Sequence, residues 1–271
     1  MSERTVAPFG RRAARVLDRR RCGSYVVLRC ADPEGPRPQG GQFYMLTAAE
    51  RWGGGAGERP FLPRAFSVLR ARTGPGGTEL EFLLEDVGPG SKRLCELGPG
   101  DELLLLGPLG AGFEPPAAGR RPLLVGGGVG IAPLAIWQDE LGAATPALLG
   151  FRDAARAKGA ALLHAAVVAT DDGSIGHHGL VTELLEAELD SSPAAVVYTC
   201  GPPPMLEAVR ALCAERSTEA QLALESGMAC GFGACFGCVV PTRTGLVRLC
   251  IEGPVIDASR LETAIVAGAG H

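Results

Sequence analysis

A change of period at "EPPAAGRR", Glu114 to Arg121, restricts the fold more than any other feature of the chain. Before it, apolar residues come in short alternating runs: "SYVVLRC", "GQFYMLTA", "RAFSVLRA", "TELEFLLEDV" and "DELLLLGPLG". Period-two alternation puts every second side chain on one face, which is the pattern of a strand with one buried side. The turn clusters "ADPEGPRPQGG", "RWGGGAGERP" and "RTGPGG" separate the runs, so residues 1–116 read as a small antiparallel barrel. After it, apolar strand runs alternate with helix patterns. "RPLLVGGG" leads into "IAPLAIWQDELGA", "PALLGF" into "DAARAKGA", "AAVVAT" into "LVTELLEAEL", and "AAVVYTCG" into "PPMLEAVRALCAE". Four strand-helix repeats predict a parallel sheet with helices on both faces over residues 117–217. Residues 218–271 change character again, rich in Gly and Cys, with short strand candidates "GCVVPT" and "LVRLCI".

A formal charge of -4 gives no electrostatic reason for nucleic acid or an anionic membrane as partner. The basic cluster "RRAARVLDRRR", Arg11 to Arg21, reads as a solvated strand-edge feature. No run approaches eighteen apolar residues and "MSERTVAPFGRR" lacks the apolar middle of a signal peptide, so a cytoplasmic protein is expected. In a reducing compartment the nine cysteines are not a disulfide framework, and clustered ones point to metal or redox chemistry.

The cluster is "MACGFGACFGCVV". Cys230, Cys235 and Cys238 stand in C-x4-C-x2-C spacing and Cys250 follows after eleven intervening residues, the spacing of plant-type 2Fe-2S ligands. Gly231, Gly233 and Gly237 let the loop wrap closely around an inorganic core, leaving N-H groups for its sulfurs. Zinc is the competing reading, but zinc favours paired C-x2-C and only one pair is so spaced. Of the isolated cysteines, Cys22, Cys30, Cys95 and Cys213 read as small hydrophobes.

"LLVGGGVGIAPLA" is a strand, a glycine turn and a helix start. It would bring Gly127, Gly128, Gly130, Ile131, Ala132 and Pro133 to a phosphate; an ordinary tight turn is the plain alternative. The fourth strand ends in "YTCGPPPM", which carries Cys200, Gly201 and Pro202 to the carboxyl edge of the same sheet, where ligands of open parallel sheets bind. In the barrel, "RAFS" (Arg64, Ala65, Phe66, Ser67) starts a strand, and "GPGSKRL" places Gly90 and Ser91 in a turn opening a short helix. Such a pair suits a diphosphate and a planar ring, though a surface arginine and an ordinary turn explain them as well.

In chain order, "RAFS", "GPGS", "GGGVGIAP", "CGP" and the four-cysteine tail resemble the ferredoxin reductase-like flavoprotein family over nearly the whole chain. Within it, "ESGMACGFGACFGCVV", "CIEGPVIDA" and "TDDGSIGHHGLVTELL" are most similar to the iron-sulfur electron-transfer subunits of class B (NAD-dependent) dihydroorotate dehydrogenase. The resemblance implies a multidomain β plus α/β protein: an FAD-binding antiparallel barrel, a parallel-sheet NAD-binding domain and a small C-terminal 2Fe-2S domain. It implies that Arg64, Ala65, Phe66, Ser67, Gly90 and Ser91 contact FAD, with Leu83, Leu84 and Glu85 lining it through backbone groups. Cys230, Cys235, Cys238 and Cys250 would bind the cluster, and Cys200 would lie near the nicotinamide as a contact rather than an acid or base. Electrons would come from an FMN-containing dihydroorotate dehydrogenase catalytic subunit, in a heterotetramer of two of each, in pyrimidine biosynthesis. The chain departs from that family in having alanine at Ala65 where proline is usual, and in the Gly-rich stretch Arg51 to Arg59. Asp153, beside Arg152 after the second sheet strand, argues for NAD over NADP. The alternatives are a small FAD and iron-sulfur subunit of an NADH-dependent ferredoxin:NADP oxidoreductase or sulfhydrogenase, and a non-enzymatic module with a structural metal.

Overall fold

The computed structural model describes residues 5–8, 10–53, 60–192 and 194–266; the Gly-rich stretch expected as a loop lies outside them from residue 54 to residue 59. Six strands, β1 (Arg12–Cys22), β2 (Tyr25–Asp32), β3 (Phe43–Ala48), β4 (Arg64–Gly74), β5 (Gly77–Glu85) and β6 (Glu102–Leu109), close a barrel in the order β1-β2-β5-β4-β3-β6. Helix α1 (Pro89–Cys95) connects β5 to β6. Along the first half of β1, Arg12, Ala14 and Val16 are buried while Ala13 and Arg15 face water, the alternation that makes a half-buried strand. Strand β3 is buried on both faces: Tyr44 and Leu46 fill the barrel, whereas Phe43 and Met45 belong to the core shared with the rest of the chain.

The basic cluster is not uniformly solvated. Arg12 is buried, its Nε and Nη2 bonding Asp32 at 2.8 and 2.6 Å, and Nη2 also donating to the Gly107 carbonyl at 2.8 Å. A charge in the barrel wall is tolerated only with a partner and hydrogen bonds, and Asp32 on the neighbouring strand supplies both.

Beyond the barrel come β7 (Arg121–Gly127), α2 (Ile131–Leu141), β8 (Ala147–Phe151), α3 (Ala154–Ala157), β9 (Ala166–Thr170), β10 (His177–His178), α4 (Val181–Ser191), β11 (Ala195–Cys200), α5 (Pro203–Glu215) and β12 (Glu219–Ala223). The hairpin β13 (Val239–Thr242) and β14 (Gly245–Arg248) and the strand β15 (Val255–Asp257) follow. The seven-stranded sheet runs β10-β9-β8-β7-β11-β12-β15, parallel except for β15, which pairs antiparallel with β12. All four expected strand-helix repeats are present, the second with a helix of only four residues. Strands β12 and β15 lie in the 218–271 segment, so the cysteine-bearing tail is woven into the sheet's edge.

Helix α2 is buried from Ile131 to Gln138, because it is sandwiched between sheet and barrel. Trp137 packs against Phe113 in a tilted and against Tyr198 in an edge-on arrangement, at centroid distances of 5.8 and 5.5 Å. Ion pairs Arg70–Asp139 (2.9 Å) and Arg156–Glu85 (3.0 Å) rivet the same junction. Cys30, Cys95 and Cys213 are buried as small hydrophobes, and burial raises each thiol's pKa, to about 11 for Cys95 and about 12 for Cys213. No helix among the described residues is long and apolar enough to cross a membrane.

Candidate functional site

The crevice is built by the carboxyl ends of β7, β11 and β12. Register pairs Gly126 with Cys200 and Cys200 with Ala223, so the glycine turn and the "CGP" turn share one edge. Gly128 to Gly130 form a single 3-10 turn, and Ile131, Ala132 and Pro133 make the first, buried turn of α2. A Cβ on Gly130 would stand 2.5 Å from the Cys200 carbonyl oxygen, and one on Gly127 would stand 2.7 Å from Met205 Sδ. Those glycines therefore serve the close packing of two turns. Pro202 caps α5. Cys200 is buried in the core with Tyr198 and Ala223, and burial holds its thiol pKa well above the ordinary value, so the thiol is neutral.

Two neighbouring groups had no warning in the sequence pattern. Glu225, just past β12, has its carboxyl pKa raised by burial and forms no ion pair with any described residue. The Ser226 hydroxyl is buried without a hydrogen-bond partner among the described residues. Only strand order, with β12 beside β11, brings them to Cys200; "ESG" by itself reads as the start of the cysteine loop. A buried hydroxyl without a partner is rare, and the Ser226 hydroxyl beside the half-buried Glu225 carboxyl at a sheet's ligand edge fits a polar ligand there.

Arg64 opens β4, its Nη1 donating to the Leu62 carbonyl at 2.6 Å and its guanidinium lying over the Trp52 ring at 5.9 Å. The same guanidinium abuts Gly90, so the two separate sequence signals meet. Ala65 is exposed, and Phe66 and Ser67 are half-buried. Leu83 and Leu84 are buried on opposite faces of β5, leaving only their backbone available to a ligand. The Glu85 side chain is engaged by Arg156, and opposite it in the ladder the Tyr25 hydroxyl is buried without a partner among the described residues. Ser91 has a local role in the turn. Its hydroxyl accepts from the N-H groups of Val87 and Gly88 at 3.0 and 3.1 Å and donates to the Gly88 carbonyl at 3.1 Å, which closes the turn that presents Gly90. Asp153, weighed against a 2'-phosphate, is likewise engaged: it caps α3 by accepting from Arg156 N-H at 2.9 Å and pairs with Arg156 Nη1 at 2.7 Å.

Cys230, Cys235, Cys238 and Cys250 stand as two pairs. Cys238 and Cys250 are buried with Sγ atoms 3.2 Å apart. Cys230 is half-buried beside the exposed Cys235, whose sulfur accepts from Gly237 N-H at 3.4 Å. Burial works to raise the Cys230 pKa, but the N-H groups of Cys235 and Phe232 and the Cys235 thiol lower it to about 7. Among the described residues no three or more His, Cys, Asp or Glu side chains form a ready mononuclear metal site. Two thiol pairs with N-H donors to sulfur fit a binuclear cluster, which takes four thiolates. The loop reaches this shape through positive φ at Gly231 (78°), Gly233 (83°) and Phe236 (57°). Gly231 packs directly on Met45 and Leu109, and Met45 is the ladder partner of Ala65. The cysteine loop and the "RAFS" strand are thus neighbours across β3.

The family model for the iron-sulfur cluster binding domain of dihydroorotate dehydrogenase B matches residues 225–262. The dihydroorotate dehydrogenase B (NAD(+)), electron transfer subunit of Caldanaerobacter subterraneus subsp. tengcongensis is 36% identical over 254 residues, covering 92% of this chain and 97% of that protein. The chain belongs to this family of electron transfer subunits. The subunit of the same name from Bacillus caldolyticus is 39% identical over 236 residues, covering 82% of this chain and 86% of its own. Among solved structures, the fold resembles a chain of the NADH-dependent reduced ferredoxin-NADP oxidoreductase, with a TM-score of 0.76, 22% identity and coverage of 94% of this chain and 92% of that one. A ferredoxin NADP+ reductase from Neisseria gonorrhoeae with bound FAD and NADP gives a TM-score of 0.56 at 20% identity, covering 76% and 91%. The electron transfer subunit family thereby joins the ferredoxin reductase-like fold to the cysteine loop described above.

Proposed function

We propose that this protein is the electron transfer subunit of a dihydroorotate dehydrogenase of the NAD-linked class, passing electrons from a catalytic partner chain to NAD+. The observation that carries the reading is the packing of the Cys230 to Cys238 loop on Met45, whose ladder partner Ala65 lies in the Arg64 to Ser67 strand. On this reading the two redox sites lie back to back across β3. When bound, FAD supplies hydride exchange with NAD(H) and the cluster supplies one-electron transfer.

The chain's own residues bind and orient. Arg64 is the cation for the diphosphate, held by the Leu62 carbonyl, Trp52 and Gly90, and the backbone of Leu83 to Glu85 lines the rest. The N-H groups of the Gly127 to Gly130 turn receive the nucleotide's phosphates at the amino end of α2. Cys200, neutral and small, lets the nicotinamide approach without a competing charge. Cys230, Cys235, Cys238 and Cys250 ligate the cluster.

The catalytic partner, an FMN-bearing chain in a complex of two copies of each subunit, covers the face around exposed Cys235. Phe232 and Phe236 flank that cysteine at 59% and 62% exposure, apolar surface of the kind a permanent partner removes from water. Anaerobically purified protein should show flavin absorbance and, after reduction, a 2Fe-2S EPR signal, and should co-purify with a dihydroorotate-oxidising chain when the two are co-expressed. Absence of both spectroscopic signals would sink the reading.

A further inference from the structure

The four cluster cysteines lie on three short segments, and the Arg248 side chain touches all three. Its Nη1 donates to the Gly233 carbonyl at 3.5 Å, between Cys230 and Cys235. Its guanidinium lies over the Phe236 ring at 5.7 Å, between Cys235 and Cys238. Its Nη2 pairs with Glu252 Oε1 at 2.8 Å, two residues beyond Cys250, while its own N-H donates to Glu252 Oε2 at 2.7 Å. The backbone adds to the arrangement, since Leu249 N-H donates to the Cys238 carbonyl at 3.0 Å. Phe236 holds a positive φ with a bulky side chain, a conformation that needs outside support, and the stacked arginine is what lies against it.

We infer that Arg248 is the positioning residue of the cluster site: it holds the three ligand-bearing segments in one arrangement and fixes a positive charge beside the cluster. The inference rests on the reading that Cys230, Cys235, Cys238 and Cys250 bind a 2Fe-2S cluster. A planar fork that bonds on two edges while stacking on its face does three tasks at once, which an ammonium group cannot do. The charge matters because one-electron reduction makes the cluster more negative, so a nearby cation favours the reduced form. Glu252 opposes this from the far side of the guanidinium.

The test uses the full chain with its cofactors, comparing wild type with Arg248→Gln, Arg248→Lys and Glu252→Gln. The readouts are iron loss to a chelator and the midpoint potential from EPR-monitored titration, with flavin content as the control for folding. Arg248→Gln should lose iron on the order of tenfold faster, as outer-shell substitutions at metal sites do, and its midpoint should move negative. Arg248→Lys should keep a midpoint near wild type yet still lose iron faster. Glu252→Gln should move the midpoint positive. An unchanged midpoint in both the Arg248→Gln and Glu252→Gln proteins, or iron loss at the wild-type rate in Arg248→Gln, overturns the assignment. If Arg248→Gln lacks flavin as well as iron, the Lys and Glu252 variants decide by the same criteria. Wild-type protein that holds no cluster overturns the cluster reading itself, whereas a loaded wild type with indifferent variants overturns only the role of Arg248.

Discussion

Arg64 Nε stands where a side chain on Gly90 would begin: a Cβ there would lie 2.5 Å from it. The arginine of one barrel signal and the glycine of the other are one contact, and the arginine's position depends on the glycine's lack of a side chain. Gly90→Ala should therefore displace the guanidinium without disturbing the barrel. Flavin affinity should fall on the order of tenfold, about 1.4 kcal/mol, with far-ultraviolet circular dichroism unchanged. Flavin absorbance per mole of protein across a titration checks it. Full flavin retention would mean that Arg64 does not hold the diphosphate.

At the other end of the crevice the tight approach is backbone to backbone. A methyl on Gly130 would meet the Cys200 carbonyl oxygen at 2.5 Å and the Gly201 nitrogen at 2.6 Å, and neither can swing aside. Gly130→Ala should cost about 1–3 kcal/mol through overpacking and raise the KM for NADH, with iron content unchanged. Steady-state kinetics beside an iron assay would show the split.

Cys200→Ala removes the thiol but leaves that backbone in place. NADH-flavin exchange should slow in rapid-mixing experiments while the EPR spectrum of the reduced cluster stays as in wild type. A changed cluster signal with unchanged exchange would remove Cys200 from the nicotinamide site.

The parts of this molecule legible in the sequence are those written in local pattern. Period-two runs marked the barrel strands, continuous apolar runs such as "AAVVYTC" marked strands buried on both faces, and C-x4-C-x2-C marked the cluster loop. What escaped depends on contacts between distant segments. Arg12 looked like part of a charged edge because its partner Asp32 lies on another strand. Glu225 joins the crevice only because β12 adds beside β11, and Arg248 is an ordinary hairpin arginine until Gly233, Phe236 and Glu252 fold around it. Strand order and side-chain partnership are long-range facts with no periodic trace.

Burial raises the Glu225 carboxyl pKa above its ordinary value, and no ion pair among the described residues offsets it. The unfolded chain releases that proton more readily than the folded one. Relative stability is thus complete below the ordinary carboxylate range and is lost as pH rises through the folded value. Glu225→Gln keeps the shape and removes the penalty. The ligand-free variant should melt higher than wild type at pH 8, and the gap should shrink as pH is lowered toward the ordinary range. Calorimetry at several pH values measures it; a constant gap would place the carboxylate in water.

Glu207 runs the opposite way. Its bond to Arg210 is the main cause that lowers its pKa, with burial opposing, and the Ala264 N-H and Thr263 hydroxyl lower it further, to about 2. The folded state therefore holds this carboxylate ionised where the unfolded chain would protonate it. The stability it confers is present above the ordinary value and is lost as pH falls through about 2. The bond has a structural consequence, because it ties down the segment carrying Leu261 and Ala264, both buried in the same core as Cys238 and Cys250. Glu207→Gln should cost about 1 kcal/mol near neutral pH after allowance for solvent screening, and the cost should fade as pH drops from 5 toward 2. Denaturant titrations at each pH would measure this, and because the tail covers the cluster core, the variant should also lose iron faster than wild type at pH 7.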